Sequence, residues 1–167
     1  KIPENILEKI NDSKKLTLKK REELFYFLIE HTDYWIGIID NKFIDENWIK
    51  LATFSAMQEA ISNLKNRPTF LKIDGRDNFP FNINCEFIVK GDQKEKIIWS
   101  ASIIAKHIRD QIMISYHQDF PNYDFISNVG YGTIKHRHAI KKYGSCLIHR
   151  KTFLNNVNDW WIHSSYW

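Results

Sequence analysis

The sequence predicts one α/β domain, and three observations support that prediction. Helical and strand-like patterns alternate along the chain, as they do in layered α/β domains. A length of 167 residues is enough to bury a core in one domain. The hydrophobic content of 43% and the charged content of 26% are ordinary for a globular protein. No apolar run is long enough to span a bilayer and no signal-peptide pattern opens the chain, so we expect a cytoplasmic protein with reduced Cys85 and Cys146.

The first half of the chain is predicted to contain two helices and three strands. Thr17 is a suitable N-cap for the first helix, Pro68 ends the second, and an Asp–Gly turn at Gly75 closes the second strand. The β-branched and aromatic run 33–39 is typical of a strand. In order, the elements are a helix over 17–30, a strand over 33–39, a helix over 44–64, and strands over 69–74 and 84–89.

A long helix over 92–117 begins the second half. Asp92 can cap this helix, and Glu95 can complete a capping box three residues later. A loop over 120–132 and a basic helix over 133–143 follow, with Gly144 as the C-cap.

The helix over 92–117 carries two stripes of side chains. The apolar stripe predicts the buried face and contains Ile97, Ala101, Ile104, Ala105, Ile108 and Ile112. Ser102, Lys106 and Asp110 recur every four residues and therefore lie on one side of the helix. This polar row is suited to metal and phosphate, or it is a solvated helix edge with one ion pair.

Positive charge is concentrated late in the chain. Between Asp124 and Asp159 no acidic residue occurs. The cations of this segment are Lys135, Arg137, Lys141, Lys142, Arg150 and Lys151. They indicate either an anionic partner such as a nucleic-acid backbone or a solvated basic helix.

The same segment contains four potential zinc donors. They are His136, His138, Cys146 and His149. The two histidines at positions i and i+2 of a helix point in different directions, which disfavours zinc.

Five sequence blocks resemble those of bacterial ribonuclease HII, in that family's order. The blocks are DSKKL (12–16), IDG (73–75), KGD with ASIIAK and RD (90–110), GYGT (130–133) and HRKTF (149–153). The resemblance implies a ribonuclease-H-like mixed central sheet flanked by helices. It also implies an endonuclease that cuts the RNA strand of RNA–DNA hybrids, and at single ribonucleotides embedded in DNA, with Mg²⁺ or Mn²⁺.

The resemblance also implies roles for individual residues. Asp74 and Asp110 match the third and fourth of the family's four metal-site carboxylates, although Asp74 is otherwise an ordinary turn residue. Hard divalent cations prefer such oxygen donors, and a pair of them can activate water and stabilise the leaving oxygen. The implied nucleic-acid contacts are Ser13, Lys14, Lys15, Lys90, Lys106 and Tyr131, of which Tyr131 matches the tyrosine that packs against the sugar at an RNA–DNA junction.

The family's first block, G-I-D-E-x-G-R-G, is not found upstream of DSKKL. It carries the first two metal-site carboxylates and the turn that contacts ribose hydroxyls. We therefore expect a fragment without its N-terminal strands, or a degraded relative, and an inactive chain as given. Trp99 lies where the family has alanine and needs extra space.

The resemblance predicts a ribonuclease HII-like domain over 1–153, an aromatic tail of unknown role over 154–167, and a monomer. The alternatives are an inactive nucleic-acid-binding relative and an unrelated basic nucleic-acid-binding domain. The latter leaves the five ordered blocks unexplained.

Overall fold

The computed structural model describes residues 18–154, which fall into two compact units. The first unit contains the described residues up to Ile38 and the segment Phe54–Arg109. The second contains Ile39–Thr53 and the described residues from Asp110 onward.

The elements, in chain order, are mostly those predicted. They are α1 (Leu18–His31), α2 (Asn41–Ser62), β1 (Phe70–Asp74), β2 (Asn84–Ile88), α3 (Gly91–Lys94), α4 (Lys96–Asp119), α5 (Phe125–Asn128) and α6 (Ile134–Tyr143). Short 3-10 helices cover Pro121–Tyr123 and Lys151–Phe153. The Thr17 cap lies outside the described residues.

Strands β1 and β2 form a parallel pair in the first unit. Phe70 lies opposite Asn84, and the register continues to Asp74 opposite Ile88. The carboxyl ends of both strands therefore meet at the same edge, where α3 begins. Side chains at that edge are the ones that the sheet can direct toward a ligand.

The core of the first unit is formed by α1 and α4. Phe25 and Leu28 pack against Ile103 and Ile104, and all four are buried. Trp99 packs partly buried against the same cluster. The indole, which we expected to need extra space, is thus accommodated beside this core.

The core of the second unit is formed by Tyr123, Phe125 and Ile140, all buried. The Tyr123 hydroxyl donates to the Gly144 carbonyl oxygen over 2.8 Å. Gly144 has a φ of 78° and ends α6 as predicted. Thr133 caps the start of that helix by accepting a hydrogen bond from the His136 backbone N–H.

The predicted strand over 33–39 is wrong. Among residues 18–154 this segment has no strand partner, and side-chain hydrogen bonds involve its ends instead. The Ile38 N–H donates to Glu59 over 3.2 Å, and the Asp33 carboxylate accepts the Asn66 N–H over 2.8 Å. Gly37 lies so close to the Ala56 carbonyl that a Cβ there would overlap it. Gly37 and Ile38 thus contact α2, whereas Ile36 packs against the Phe25 and Leu28 cluster.

The predicted capping box is also wrong. Lys90, with a φ of 57°, precedes the helix, so α3 begins at Gly91, and Asp92 lies within its first turn. Glu95 is extended and separates α3 from α4. Its carboxylate accepts from Lys72 over 2.7 Å and is directed at the sheet.

The buried face of α4 differs from the predicted apolar stripe. Its buried residues are Ile98, Ser100, Ile103 and Ile104, whereas Ile97 is 60% exposed. Isoleucines occur on several sides of this helix: Ile103 and Ile104 pack against α1, whereas the Ile98 side chain lies next to Gly91.

Helix α2 contains a kink that the sequence pattern did not predict. Trp48 has a φ of 66° and a ψ of 152°, and its side chain is 75% exposed. This backbone conformation is almost restricted to glycine.

Candidate active site

Asp74 ends β1 and is held by a backbone hydrogen bond. Its Oδ1 accepts the Gly91 N–H over 2.7 Å. Gly75 follows with a φ of 121°, which favours glycine, and its N–H donates to the Ile88 carbonyl over 3.0 Å. The IDG and KGD blocks therefore contact each other, and the contact orients a carboxylate at the sheet edge.

Gly91 allows this close approach because it has no side chain. A Cβ at this position would lie 2.6 Å from the Ile98 Cδ1 and 3.3 Å from the Asp74 Oδ1. Gly91 is buried, and the exposed Lys90 before it adopts a left-handed backbone conformation. The turn presents the Lys90 ammonium to solvent beside the end of β2.

The positive charge at Lys72 is compensated within the same unit. Lys72 Nζ lies 2.7 Å from Glu95 Oε2, and this hydrogen bond raises the pKa of the lysine. Lys72 thus forms an ion pair with Glu95, the residue that separates α3 from α4.

Asp110 lies on α4, on the polar row that the sequence predicted. Ser102, Lys106 and Asp110 belong to one continuous helix, Lys96–Asp119. The Ser102 hydroxyl donates to the Trp99 carbonyl over 2.7 Å, so its proton is used within the helix. The polar row on α4 therefore consists of a lysine, a carboxylate and a serine whose hydroxyl is hydrogen-bonded to the helix backbone.

Tyr131 lies in a tightly hydrogen-bonded loop in the second unit. Its N–H donates to the Asn128 carbonyl over 2.8 Å, and the Gly130 N–H donates to the Asn128 Oδ1 over 2.8 Å. The Asn128 amide in turn donates to the Tyr123 carbonyl over 2.6 Å. The Tyr131 side chain is 51% exposed. The loop thus fixes the backbone and leaves the ring accessible.

The HRKTF block is bound by the start of α2, which sequence reasoning missed. The Asp45 carboxylate accepts from the backbone N–H groups of Lys151 and Thr152 and from the Thr152 hydroxyl, over 2.7–3.0 Å. These bonds, the Thr152 N–H first, lower the pKa of Asp45. Asn41 donates to the carbonyls of Leu147 and His149. No local signal could show contacts across more than 100 residues.

Asp45 belongs to an Asp–Glu pair that lies elsewhere in the sequence than the pair of the family's first block. Asp45–Glu46 is an adjacent Asp–Glu pair, but it lies on a helix downstream of DSKKL. Because the Asp45 carboxylate binds the HRKTF block, it is a structural group in this unit.

Three of the potential zinc donors come together without forming a zinc site. His136 Nε2 lies 3.1 Å from His149 Nε2, and the Cys146 N–H donates to His149 Nδ1 over 2.9 Å. A zinc ion on His149 Nε2 would require a proton on Nδ1, where it would face the Cys146 N–H. Within residues 18–154, no group of three or more His, Cys, Asp and Glu side chains is arranged to hold a metal ion.

Burial disfavours the charged forms of Cys146 and His149. It raises the pKa of the Cys146 thiol. Burial first, and then the neighbouring His136, lowers the pKa of His149. A neutral imidazole and a protonated thiol therefore lie side by side, with the Cys146 sulfur 3.0 Å from His149 Nδ1.

Other predicted residues have the following positions. Ser13, Lys14 and Lys15 lie outside the described residues. On α6 the lysines Lys135, Lys141 and Lys142 are exposed, consistent with either interpretation of the basic segment.

None of the described helices is long and apolar enough to cross a membrane.

The fold indicates the class of protein first. The structure resembles the crystal structure of ribonuclease H2 from Pyrococcus horikoshii OT3, with a TM-score of 0.72 and 26% identity over 95% of this chain and 85% of that chain. This likeness confirms the predicted ribonuclease-H-like α/β fold, of which residues 18–154 contribute the parallel pair β1–β2.

The family follows from the sequence comparisons. The ribonuclease HII family model matches residues 4–156. The ribonuclease HII of Clostridioides difficile strain 630 is 48% identical over 152 residues, which is 90% of this chain and 60% of that protein. The ribonuclease HII of Syntrophus aciditrophicus is 46% identical over 86% of this chain and 68% of its own length. This chain belongs to the ribonuclease HII family, and it spans about 60–70% of the length of these two relatives.

Proposed function

We propose that this chain carries part of the active site of an endonuclease acting on RNA–DNA hybrids and on single ribonucleotides embedded in DNA. Family membership supports nuclease chemistry. The observation that carries the proposal is the Asp74 carboxylate, fixed at the end of β1 by the Gly91 N–H over 2.7 Å. Two blocks that identify the family make this contact.

Asp74 and Asp110 each supply a carboxylate for Mg²⁺ or Mn²⁺ in this proposal. Their oxygen atoms are the donors that hard divalent cations prefer. When bound, two such ions activate the attacking water and stabilise the leaving oxygen. The Gly91 N–H keeps one Asp74 oxygen in place, and an oriented carboxylate loses less entropy when it binds a cation.

The remaining assigned residues contact the nucleic acid. Tyr131 presents an exposed ring on a fixed backbone, which suits packing against a sugar or base. Lys90 and Lys106 supply positive charge for phosphates, together with Ser13, Lys14 and Lys15. Such contacts position the duplex, and the affinity that they provide falls with salt.

Catalysis in this proposal also needs the family's Asp–Glu pair, and the chain by itself is expected to be inactive. The alternative is a nucleic-acid-binding relative without activity. A monomer located in the cytoplasm remains our prediction.

The test compares the chain alone with a version preceded by a segment that contains the family's G-I-D-E-x-G-R-G block. The substrate is a duplex with one embedded ribonucleotide, incubated with Mg²⁺, with Mn²⁺ or with chelator. We expect metal-dependent cleavage by the extended version and none by the chain alone. Binding without cleavage by the extended version would establish the inactive alternative.

The role of Asp74 is tested in the extended version. Asp74→Asn should abolish cleavage and leave duplex binding, measured by fluorescence anisotropy, within about twofold. Asp77→Asn, which removes an equal charge three residues later, should retain activity. Cleavage at the parent rate by Asp74→Asn would remove Asp74 from the metal site.

A further inference from the structure

We propose that His136 and His149 are positioning residues that hold Tyr131 through a directed chain of hydrogen bonds. The chain runs from the Cys146 N–H through both imidazoles to the Tyr131 carbonyl. This inference rests on the nucleic-acid role proposed for Tyr131.

The direction of the chain is fixed at its first end by a backbone amide. The Cys146 N–H can only donate, and it lies 2.9 Å from His149 Nδ1. That nitrogen must therefore carry a lone pair, so neutral His149 carries its proton on Nε2.

The second end fixes the direction independently. The Tyr131 carbonyl can only accept, and it lies 2.8 Å from His136 Nδ1. Neutral His136 therefore carries its proton on Nδ1 and a lone pair on Nε2. Both ends assign a His149 Nε2–H donor and a His136 Nε2 acceptor to the 3.1 Å contact between the rings. Agreement between two independent ends is the main support for the chain.

The two imidazoles lie among aromatic rings. His136 is 4% exposed. The Phe125 ring lies edge-on to His136 at 5.4 Å, and the Tyr123 ring lies 5.0 Å from His149. In an apolar environment a hydrogen bond is stronger and an unpaired polar atom is more costly. The two imidazoles are therefore held in one orientation.

The result at Tyr131 is a backbone anchored on both sides. Its carbonyl accepts from His136 Nδ1 and from the Thr133 N–H, and its own N–H donates to Asn128. The ring, by contrast, is half exposed. His136 thus sets the direction of the Tyr131 ring without contacting the ligand itself.

The hydrogen-bond chain is tested first in the unmodified protein by ¹⁵N NMR of the imidazoles at neutral pH. The expected result is a protonated Nδ1 in His136 and a protonated Nε2 in His149. The opposite tautomer at either residue would overturn the proposal. This measurement does not depend on whether the protein binds or cleaves nucleic acid.

The function of this hydrogen-bond chain is tested with four single variants and one double variant. His136→Leu keeps apolar volume and removes both ring nitrogens, whereas His136→Asn keeps a donor close to the position of Nδ1. Tyr131→Ala removes the ring, and His138→Leu is the control, an exposed histidine on the same helix. Affinity for a duplex with an RNA–DNA junction is measured by anisotropy, and urea unfolding identifies the variants that fold.

Removal of a stacked aromatic ring should weaken binding by about tenfold or more, so Tyr131→Ala sets the scale. His136→Leu should lose most of that factor, His136→Asn should recover it in part, and His138→Leu should match the parent. The double variant Tyr131→Ala/His136→Leu should bind no more weakly than Tyr131→Ala.

The possible failures are distinguishable. If Tyr131→Ala binds like the parent, the nucleic-acid role of Tyr131 is wrong, and the positioning role ends with it even where the tautomers are as expected. If Tyr131→Ala weakens binding but folded His136→Leu does not, His136 does not position Tyr131. Equal losses for folded His136→Asn and His136→Leu would show that the hydrogen bond is not the cause.

Discussion

Replacement of Gly91 by alanine should destabilise the protein through one identifiable atom. The φ of Gly91 is not in the left-handed region, so alanine fits its backbone conformation. Without a steric conflict, Gly91→Ala would then stabilise the protein by about 0.4–1 kcal/mol, because alanine has less freedom in the unfolded chain. A net loss of stability must come from contacts of the new methyl group.

The geometry supplies the conflict. The new Cβ would lie 2.6 Å from the Ile98 Cδ1, whereas carbon atoms prefer roughly 3.5–4.0 Å. Overpacking of this kind costs about 1–3 kcal/mol. After the entropic gain is subtracted, we expect a decrease of about 0.5–2 kcal/mol in the free energy of unfolding, measured by urea titration.

A second substitution identifies the atom responsible. Ile98→Val removes the Cδ1 and alone should cost about 0.5–1.5 kcal/mol. In the double variant the new methyl group occupies the space that Cδ1 leaves, so Gly91→Ala should become neutral or stabilising in the Ile98→Val background. The double-mutant cycle formed by these variants should thus show a favourable coupling free energy of about 1–3 kcal/mol between the two substitutions.

Two results would refute this reasoning. Gly91→Ala at or above parent stability would mean that the close approach is not restrictive. Additive effects in the cycle would move the cost to the second neighbour, the Asp74 Oδ1, at 3.3 Å from the Cβ. Gly132→Ala is the matched control, since its Cβ would meet only the Arg137 Nε, at 3.8 Å. We expect the control to be neutral or slightly stabilising.

Three further predictions concern the second unit. Trp48→Gly should raise the free energy of unfolding by about 1–2 kcal/mol, because it relieves a φ of 66° and removes a side chain that is 75% exposed. A lower free energy of unfolding in urea titrations would show that the Trp48 backbone is not strained. The pKa of Asp45 is lowered in the folded state, so the stabilising effect of this carboxylate is present above pH about 3.8 and is lost as pH falls further. The difference in unfolding free energy between the parent and Asp45→Asn should therefore shrink in acid. A difference that persists at low pH would contradict this prediction. The ring of His149 faces His136, Cys146 and Tyr123, and the pKa of His149 is also lowered in the folded state. The unfolded state therefore binds more protons, and stability should fall as pH drops below 6.5. His149→Asn should flatten this pH dependence of stability, and a pH dependence that the substitution leaves unchanged would come from another residue.

Local patterns predicted most elements because the necessary information is local. The strands predicted over 69–74 and 84–89 and the helix predicted over 17–30 are found within one residue of these bounds, and α6 ends at the predicted C-cap, Gly144. The segment 33–39 has the same β-branched composition but is not a strand, since Glu59 and the segment around Ala56 bind it. Strand formation needs a partner, and composition does not specify one.

The start of the KGD helix shows why boundaries fail. Asp92 and Glu95 match a capping box, yet Lys90 adopts a left-handed conformation and α3 begins at Gly91. That start places the Gly91 N–H at Asp74. A contact between residues 17 positions apart thus overrides the local preference of Asp92, and the strained turn lies beside the proposed site.

Contacts between the family's blocks explain what the blocks do. The IDG block meets the KGD block through Asp74 and Gly91. The GYGT block meets the HRKTF block through Tyr131, His136 and His149. In each pair one member provides a group proposed to act on the substrate, and the other fixes that group by hydrogen bonds. A substitution at Gly91 or His149 should therefore act through Asp74 or Tyr131 respectively, although the sequence gives no sign of either connection.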